Sequence, residues 1–157
     1  MLKGLLSPEE CAECRLCCSF EGYDLFNTPT VTEAAAKHIR EKLPGQGFVK
    51  VGESFLMKMS YEPESELYPC PLLDKRKGCI MGDRKPFECR IWPFRVMRRG
   101  ERLVIVLSPI CPKVREKPEE LVRRKAEELA EEIFAEAESC PELVKPYTEG
   151  FAVYAEK

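Results

Sequence analysis

Residues 11–18 read Cys11-Ala12-Glu13-Cys14-Arg15-Leu16-Cys17-Cys18, four cysteines in eight positions. A two-residue spacer lets backbone N–H groups turn toward thiolate sulfurs and lets both side chains reach one centre. One such pair makes a zinc knuckle. Overlapping pairs, C-x2-C-x2-C, form the loop around a 4Fe–4S cluster, completed by a remote cysteine usually followed by proline. Cys70-Pro71, Cys111-Pro112 and Cys140-Pro141 all have that form. Adjacent Cys17 and Cys18 do not easily converge on one atom. In extended chain they point to opposite faces, and on a helix they stand about 100° apart. The pair therefore suits two metals, or two irons of one cluster, better than one zinc. Read as a helix, the segment lines up Cys11, Cys14 and Cys18 and leaves Cys17 to the side. On either reading the centre is polynuclear or double.

Downstream, Cys70, Cys79 and Cys89 lie in a stretch punctuated by Lys77-Gly78, Gly82-Asp83 and Pro86. Those turn formers predict a looped, metal-wrapping segment rather than a helix. Adding Cys111 makes a second set of four, so eight cysteines divide into two four-thiolate sites or gather in one larger cluster. The ninth, Cys140, stands alone. An odd count of nine with no export signal argues against a disulfide framework. Scattered core cysteines do not account for four in eight residues. All-sulfur ligation selects iron–sulfur or zinc over oxygen-loving metals. His38, the one histidine, falls in an amphipathic stretch and reads as structural.

The ordered series Cys11-x2-Cys14-x2-Cys17-Cys18, Cys70-Pro71-x-Leu73, Gly78-Cys79, Pro86-x2-Cys89-Arg90 and Trp92-Pro93 resembles the CxxCxxCC family. These are YkgJ-like cysteine cluster proteins, described as zinc- or iron-chelating domains, and a flagellin lysine N-methylase belongs among them. The resemblance runs from about Cys11 to Cys111. Two positions depart from the family pattern: Lys85-Pro86 stands for its usual Arg-Pro, and Gly82 for a common tyrosine.

The chain has 157 residues, enough for one domain with an ordinary core. At 44% hydrophobic and 33% charged it is a globular composition. One Asn, one Gln and 24 Glu beside 25 Lys plus Arg is a heat-adapted profile. The longest aliphatic run, 103–107, falls far short of the ~20 residues of a membrane helix. The N-terminal apolar run is too short for a signal peptide, so a cytoplasmic protein with no membrane association is expected.

Thr30-Val-Thr-Glu33 reads as a capping box, followed by Val31, Ala35, His38, Ile39 and Leu43 at helical spacing until Pro44-Gly45. Residues 48–51 and 55–61 predict one β-hairpin, and 91–98 and 102–107 a second, whose return strand is apolar on both faces and central. Pro118 opens a long amphipathic helix to about Ser139. The expected fold is α+β: a small single domain with two β-hairpins, two or more helices and metal-pinned cysteine loops. Residues 1–113 form the cysteine-cluster region, and 114–157 a helical extension packed on the same domain.

The net charge of −2 hides an uneven distribution. Residues 75–102 hold ten basic and three acidic residues; 116–142 hold four basic and ten acidic. The acidic stretch reads as a solvated helix face laced with ion pairs. Four thiolates around Zn2+, or around a 4Fe–4S cluster in its oxidised state, leave two net negative charges for nearby cations to offset. Lys85 and Arg90 are the candidates to face the cofactor or to receive a carboxylate or phosphate. Phe87, Trp92 and Phe94 interleave with basic residues, which keeps a nucleic-acid surface open, though Trp92 and Phe94 alternate as inward strand residues do. No P-loop, dinucleotide loop, nucleophile elbow or H-E-x-x-H is present. With one histidine, acid–base catalysis has no ordinary partner, and no catalytic residue is assigned. Two functions remain. One is an iron–sulfur protein with Cys11, Cys14, Cys17, Cys18, Cys70, Cys79, Cys89 and Cys111 as ligands, in redox, electron transfer or cluster-dependent modification, serving a redox or protein partner. The other is a zinc-held binding module without catalysis.

Overall fold

A computed structural model describes residues 1–74 and 76–157. The sequence Ser7-Pro8-Glu9-Glu10 starts the first helix, α1 (Pro8–Cys14), through a full capping box. The Ser7 hydroxyl accepts from the Glu10 N–H at 3.2 Å and the Glu10 carboxylate accepts from the Ser7 N–H at 2.8 Å. The helix stops because Arg15 turns left-handed, with φ 55°, and its N–H returns to the Cys11 carbonyl. A tight 3-10 turn, Leu16–Cys18, follows. Strand β1 (Ser19–Phe20) then pairs antiparallel with β4 (Tyr68–Pro69).

Helix α2 (Glu33–Lys42) is capped by Thr32, not Thr30 as the sequence pattern predicts. Val31 lies outside it, exchanging two backbone hydrogen bonds with Phe55 on β3 (Ser54–Met57), which forms a hairpin with β2 (Phe48–Val51). The first expected hairpin is thus present, its second strand ending at Met57. Val31, Ala36, Ile39, Met57, Leu72 and Met81 make one hydrophobic cluster. A two-residue ribbon, β5 (Leu73–Asp74) against β6 (Gly78–Cys79), projects from it toward α1.

The segment read as loop around Cys89 is in part a helix, α3 (Phe87–Ile91). It carries Ile91, so the second hairpin begins later than predicted: β7 (Phe94–Arg99) pairs with β8 (Arg102–Leu107). Trp92 is therefore a helix cap beside a cis peptide to Pro93, not a strand residue. β8 is central, as its two apolar faces require. The sheet order is β10-β8-β7-β9, with β9 (Lys145–Pro146) parallel to β7 and β10 (Ala152–Glu156) antiparallel to β8. A single turn, α4 (Pro112–Arg115), follows Cys111. Helix α5 (Glu119–Ser139) begins after Pro118 and lays Val122, Ala126, Leu129 and Ile133 on Phe94, Val96 and Ile105 in the larger core cluster. Val104, Val106 and Met97 face a third cluster on the other side of the sheet. The fold is a small single-domain α+β structure. No helix among the described residues is long and apolar enough to cross a membrane.

Candidate metal centre

Eight cysteines gather where the two main clusters meet. Cys11 and Cys111 pack with the larger cluster, while Cys70 and Cys79 pack with the cluster beneath α2. Each arrives by a local device. α1 brings Cys11 and Cys14 on one helical face, and the left-handed Arg15 folds the chain back so that Cys17 and Cys18 return beside them. The Cys70 N–H donates to the Cys18 carbonyl at 2.8 Å, stitching the second cysteine segment to the first. Gly78 lets β6 lean on α1: a Cβ there would meet the Ala12 Cβ at 2.9 Å, and its φ is +78°. Glu88, one residue before Cys89, accepts from the Thr30 N–H at 2.6 Å and from the buried Lys145 ammonium at 3.2 Å, which anchors α3.

The electrostatics divide the thiols into two groups that share Cys17. Burial pushes the Cys11 thiol up; the charge of Lys85 opposes that, while those of Cys17 and Cys111 add to it. Cys111 is raised by burial, against two backbone N–H groups, with Cys14 and Cys17 adding to the rise. On the other side, Cys70 is pushed up to about 12, by burial first and then by Cys79 and Cys17. Cys89 is raised well above its ordinary value by burial and by Cys70, Cys17 and Cys79. Cys17 is raised by its hydrogen bond with Cys18, by burial and by the Cys18 charge, with Lys85 opposing. The sequence placed Cys111 with Cys70, Cys79 and Cys89. In the fold it stands with Cys11, Cys14 and Cys17, and these four line one recess beneath Trp92 and Ile110. Nothing in the spacing reveals this, because Cys111 reaches the site by the return of β8.

As the side chains stand, no three of the described His, Cys, Asp and Glu residues form a group that could hold a metal ion. The thiols are neighbours rather than a closed ligand set. All nine cysteines are free. Cys140 lies apart in the larger core cluster, its sulfur 3.2 Å from the Ser54 hydroxyl. His38 sits on α2.

Of the two cations expected at the cofactor, Lys85 is half-buried and its charge acts on both Cys11 and Cys17. Arg90 instead stacks over the Phe87 ring, 5.2 Å from its centroid. The basic stretch is spent largely within the chain. Arg95 bonds the Phe26 carbonyl and stacks on its ring, and Arg99 and Arg102 both pair with Glu156. Phe87 and Phe94 are core residues, leaving Trp92 half-buried at the recess. Comparisons with protein-family profiles, curated proteins and solved structures return no match to this chain.

Proposed function

We propose that this chain is a cysteine-held metal protein of the iron–sulfur type, with a role in redox, electron transfer or a cluster-dependent modification. The observation that carries the reading is the convergence of eight cysteines from five separate stretches, with a half-buried lysine among them and Cys140 outside. Burial raises the thiols of Cys11, Cys70, Cys89 and Cys111, and a hydrogen bond with Cys18 followed by burial raises Cys17, with neighbouring thiols adding to each rise. A soft cation reverses that logic: it takes the thiolates as ligands and releases their protons. The donor set fits such a group, being all sulfur and at the junction of two apolar clusters. Because no three of the described donors form a metal-holding group as they stand, binding would have to draw the thiols together, so that metal binding is coupled to folding. Bound there, a 4Fe–4S-type cluster supplies one-electron chemistry. Lys85, whose charge acts on Cys11 and Cys17, would offset the ligand charge, and Cys17 stands between the two groups.

The two-group division around Cys17 also favours a second reading, two zinc ions held by thiolates in a binding module without catalysis. Structural zinc contributes about 10 kcal/mol or more to folding such a domain. Both readings make Cys18 a ligand and Cys140 a bystander. The metal content of Cys18→Ala should fall, and that of Cys140→Ser should equal wild type. Full content in the first, or loss in the second, would overturn the eight-ligand assignment.

A further inference from the structure

Residues 30–58 form a lobe of their own. Helix α2 and the β2–β3 hairpin are tied by the Val31–Phe55 backbone pair, and their apolar side chains meet Leu72 and Met81 in the smaller cluster. The larger core, on α5 and the sheet, takes no residue from this lobe. Among the described residues, the hydrogen bonds that join the lobe to the rest of the chain end on Glu88 or on residues 140–145. Glu142 carries most of them. Its carboxylate accepts from the Glu53 N–H at 3.0 Å and the Ser54 hydroxyl at 3.2 Å, and its carbonyl from the Thr30 hydroxyl at 3.1 Å. Ser54 is buried and also lies 3.2 Å from the Cys140 sulfur. The Arg84–Glu41 ion pair, 4.0 Å long and exposed on both sides, adds little. The hairpin turn fits beneath Glu142 because residue 52 is glycine: a Cβ there would collide with the Glu142 carboxylate.

From this distribution we infer that residues 140–145 are a latch, whose release lets α2 and the β2–β3 hairpin open as one unit while the sheet and α5 stay folded. Proteins open locally in contiguous units, and the free energy of each opening follows the contacts that hold that unit down. The cluster beneath α2 is small and is completed by side chains from residues 70–81 rather than by the main core, so the polar latch is a large share of what holds the lobe. Opening has a consequence for the cysteines. Cys70 and Cys79 pack against the lobe's cluster, whereas Cys11 and Cys111 pack against the larger one. The latch therefore governs the cover over Cys70 and Cys79 and leaves the surroundings of Cys111 as they are. It holds whether or not the thiols carry a metal. Glu142 is the residue to perturb. Alanine there removes both carboxylate contacts but leaves the backbone carbonyl on Thr30 and Lys145, so the buried Lys145–Glu88 pair stays intact.

The test is hydrogen–deuterium exchange of the full-length chain, read by peptide mass spectrometry, in wild type, Glu142→Ala and Ser54→Ala. Glu142→Ala should speed exchange in α2 and the β2–β3 hairpin about tenfold, the factor that losing a hydrogen bond to a charged group brings, and leave β7, β8 and α5 unchanged. Ser54→Ala, which removes one of the two carboxylate contacts, should speed the same peptides by a smaller factor. Iodoacetamide labelling of the Glu142→Ala chain with a chelator present should rise at Cys70 and stay constant at Cys111. Equal acceleration of lobe and sheet would overturn the inference, because it marks a general loss of stability. An unchanged lobe, or a rise at Cys111 that matches the rise at Cys70, would overturn it as well.

Discussion

Gly78 is where backbone geometry and the cysteine centre meet, and Gly78→Ala tests that junction. Its φ of +78° is left-handed, which costs an alanine about 1–2 kcal/mol. The new methyl would also lie 2.9 Å from the Ala12 Cβ and 3.2 Å from the Ala12 Cα, both on α1. Backbone on one side and a helix on the other leave little room to give, and overpacking of this kind costs about 1–3 kcal/mol. The expected loss is therefore about 2–5 kcal/mol, a large share of the stability of a domain this size. It should appear as an earlier midpoint in urea unfolding and, because β6 carries Cys79 toward α1, as reduced metal content. Gly82→Ala is the control: φ is +55° but no atom lies within 4 Å, so only the strain of about 1–2 kcal/mol applies and metal should be retained. Adding Ala12→Gly should recover part of the Gly78→Ala loss, beyond the ~1 kcal/mol that glycine itself costs in a helix. If Gly78→Ala behaves like Gly82→Ala and keeps its metal, the contact between β6 and α1 does not position Cys79 and the reasoning fails.

The buried ammonium of Lys145, 1% exposed, bonds the Thr30 hydroxyl at 2.9 Å, the Glu142 carbonyl at 3.0 Å and Glu88 at 3.2 Å. Glu88→Gln strands that charge and should cost about 3–5 kcal/mol by chemical denaturation; a loss below about 1 kcal/mol would show the pair to be solvated. Burial holds the Lys145 ammonium below its ordinary value, with Glu88 opposing that shift. At the acid end, the Glu53 N–H at 3.0 Å holds the Glu142 carboxyl below its ordinary 4.5 against the effect of burial, and two backbone N–H groups hold Asp74 down in the same way. A carboxyl depressed on folding contributes stability that is complete above its unfolded value and is lost as pH falls through the folded one. Stability should thus decline on acidification below about pH 5, and Glu142→Gln should make the decline shallower. An unchanged slope would remove Glu142 from that account.

What the chain spells out is its local chemistry. Pro118 marks the start of α5 because proline suits a first turn, and the 103–107 run announces a strand covered on both faces, which β8 is. Other features depend on tertiary choice. Thr30 and Thr32 both offer a cap, and pairing of Val31 with Phe55 decides for Thr32. α1 ends at a non-glycine left-handed residue, Arg15, which no pattern marks, and its start was not read from the sequence although Ser7-Pro8-Glu9-Glu10 has the capping-box form. α3 has five residues and no capping side chain, too little for periodicity to register. β9 is two residues long and held by its parallel pairing with β7. At the centre, spacing separates eight candidate ligands from Cys140, but how they group in space depends on long-range pairing, which moves Cys111 beside α1. The stacking of Arg90 on Phe87 depends on the turn of α3, which the spacing does not announce.

The central claim is that these thiols hold an iron–sulfur centre. Its most direct test is anaerobic purification of the full chain from iron- and sulfide-replete cells, with an absorption spectrum and iron, zinc and acid-labile sulfide assays on one sample. The account predicts a brown protein with a broad band near about 400 nm and matched iron and sulfide, as thiolate-ligated clusters show. A colourless protein with stoichiometric zinc and no sulfide would contradict the cluster and leave the zinc-held binding module. A chain carrying neither metal would contradict the centre itself.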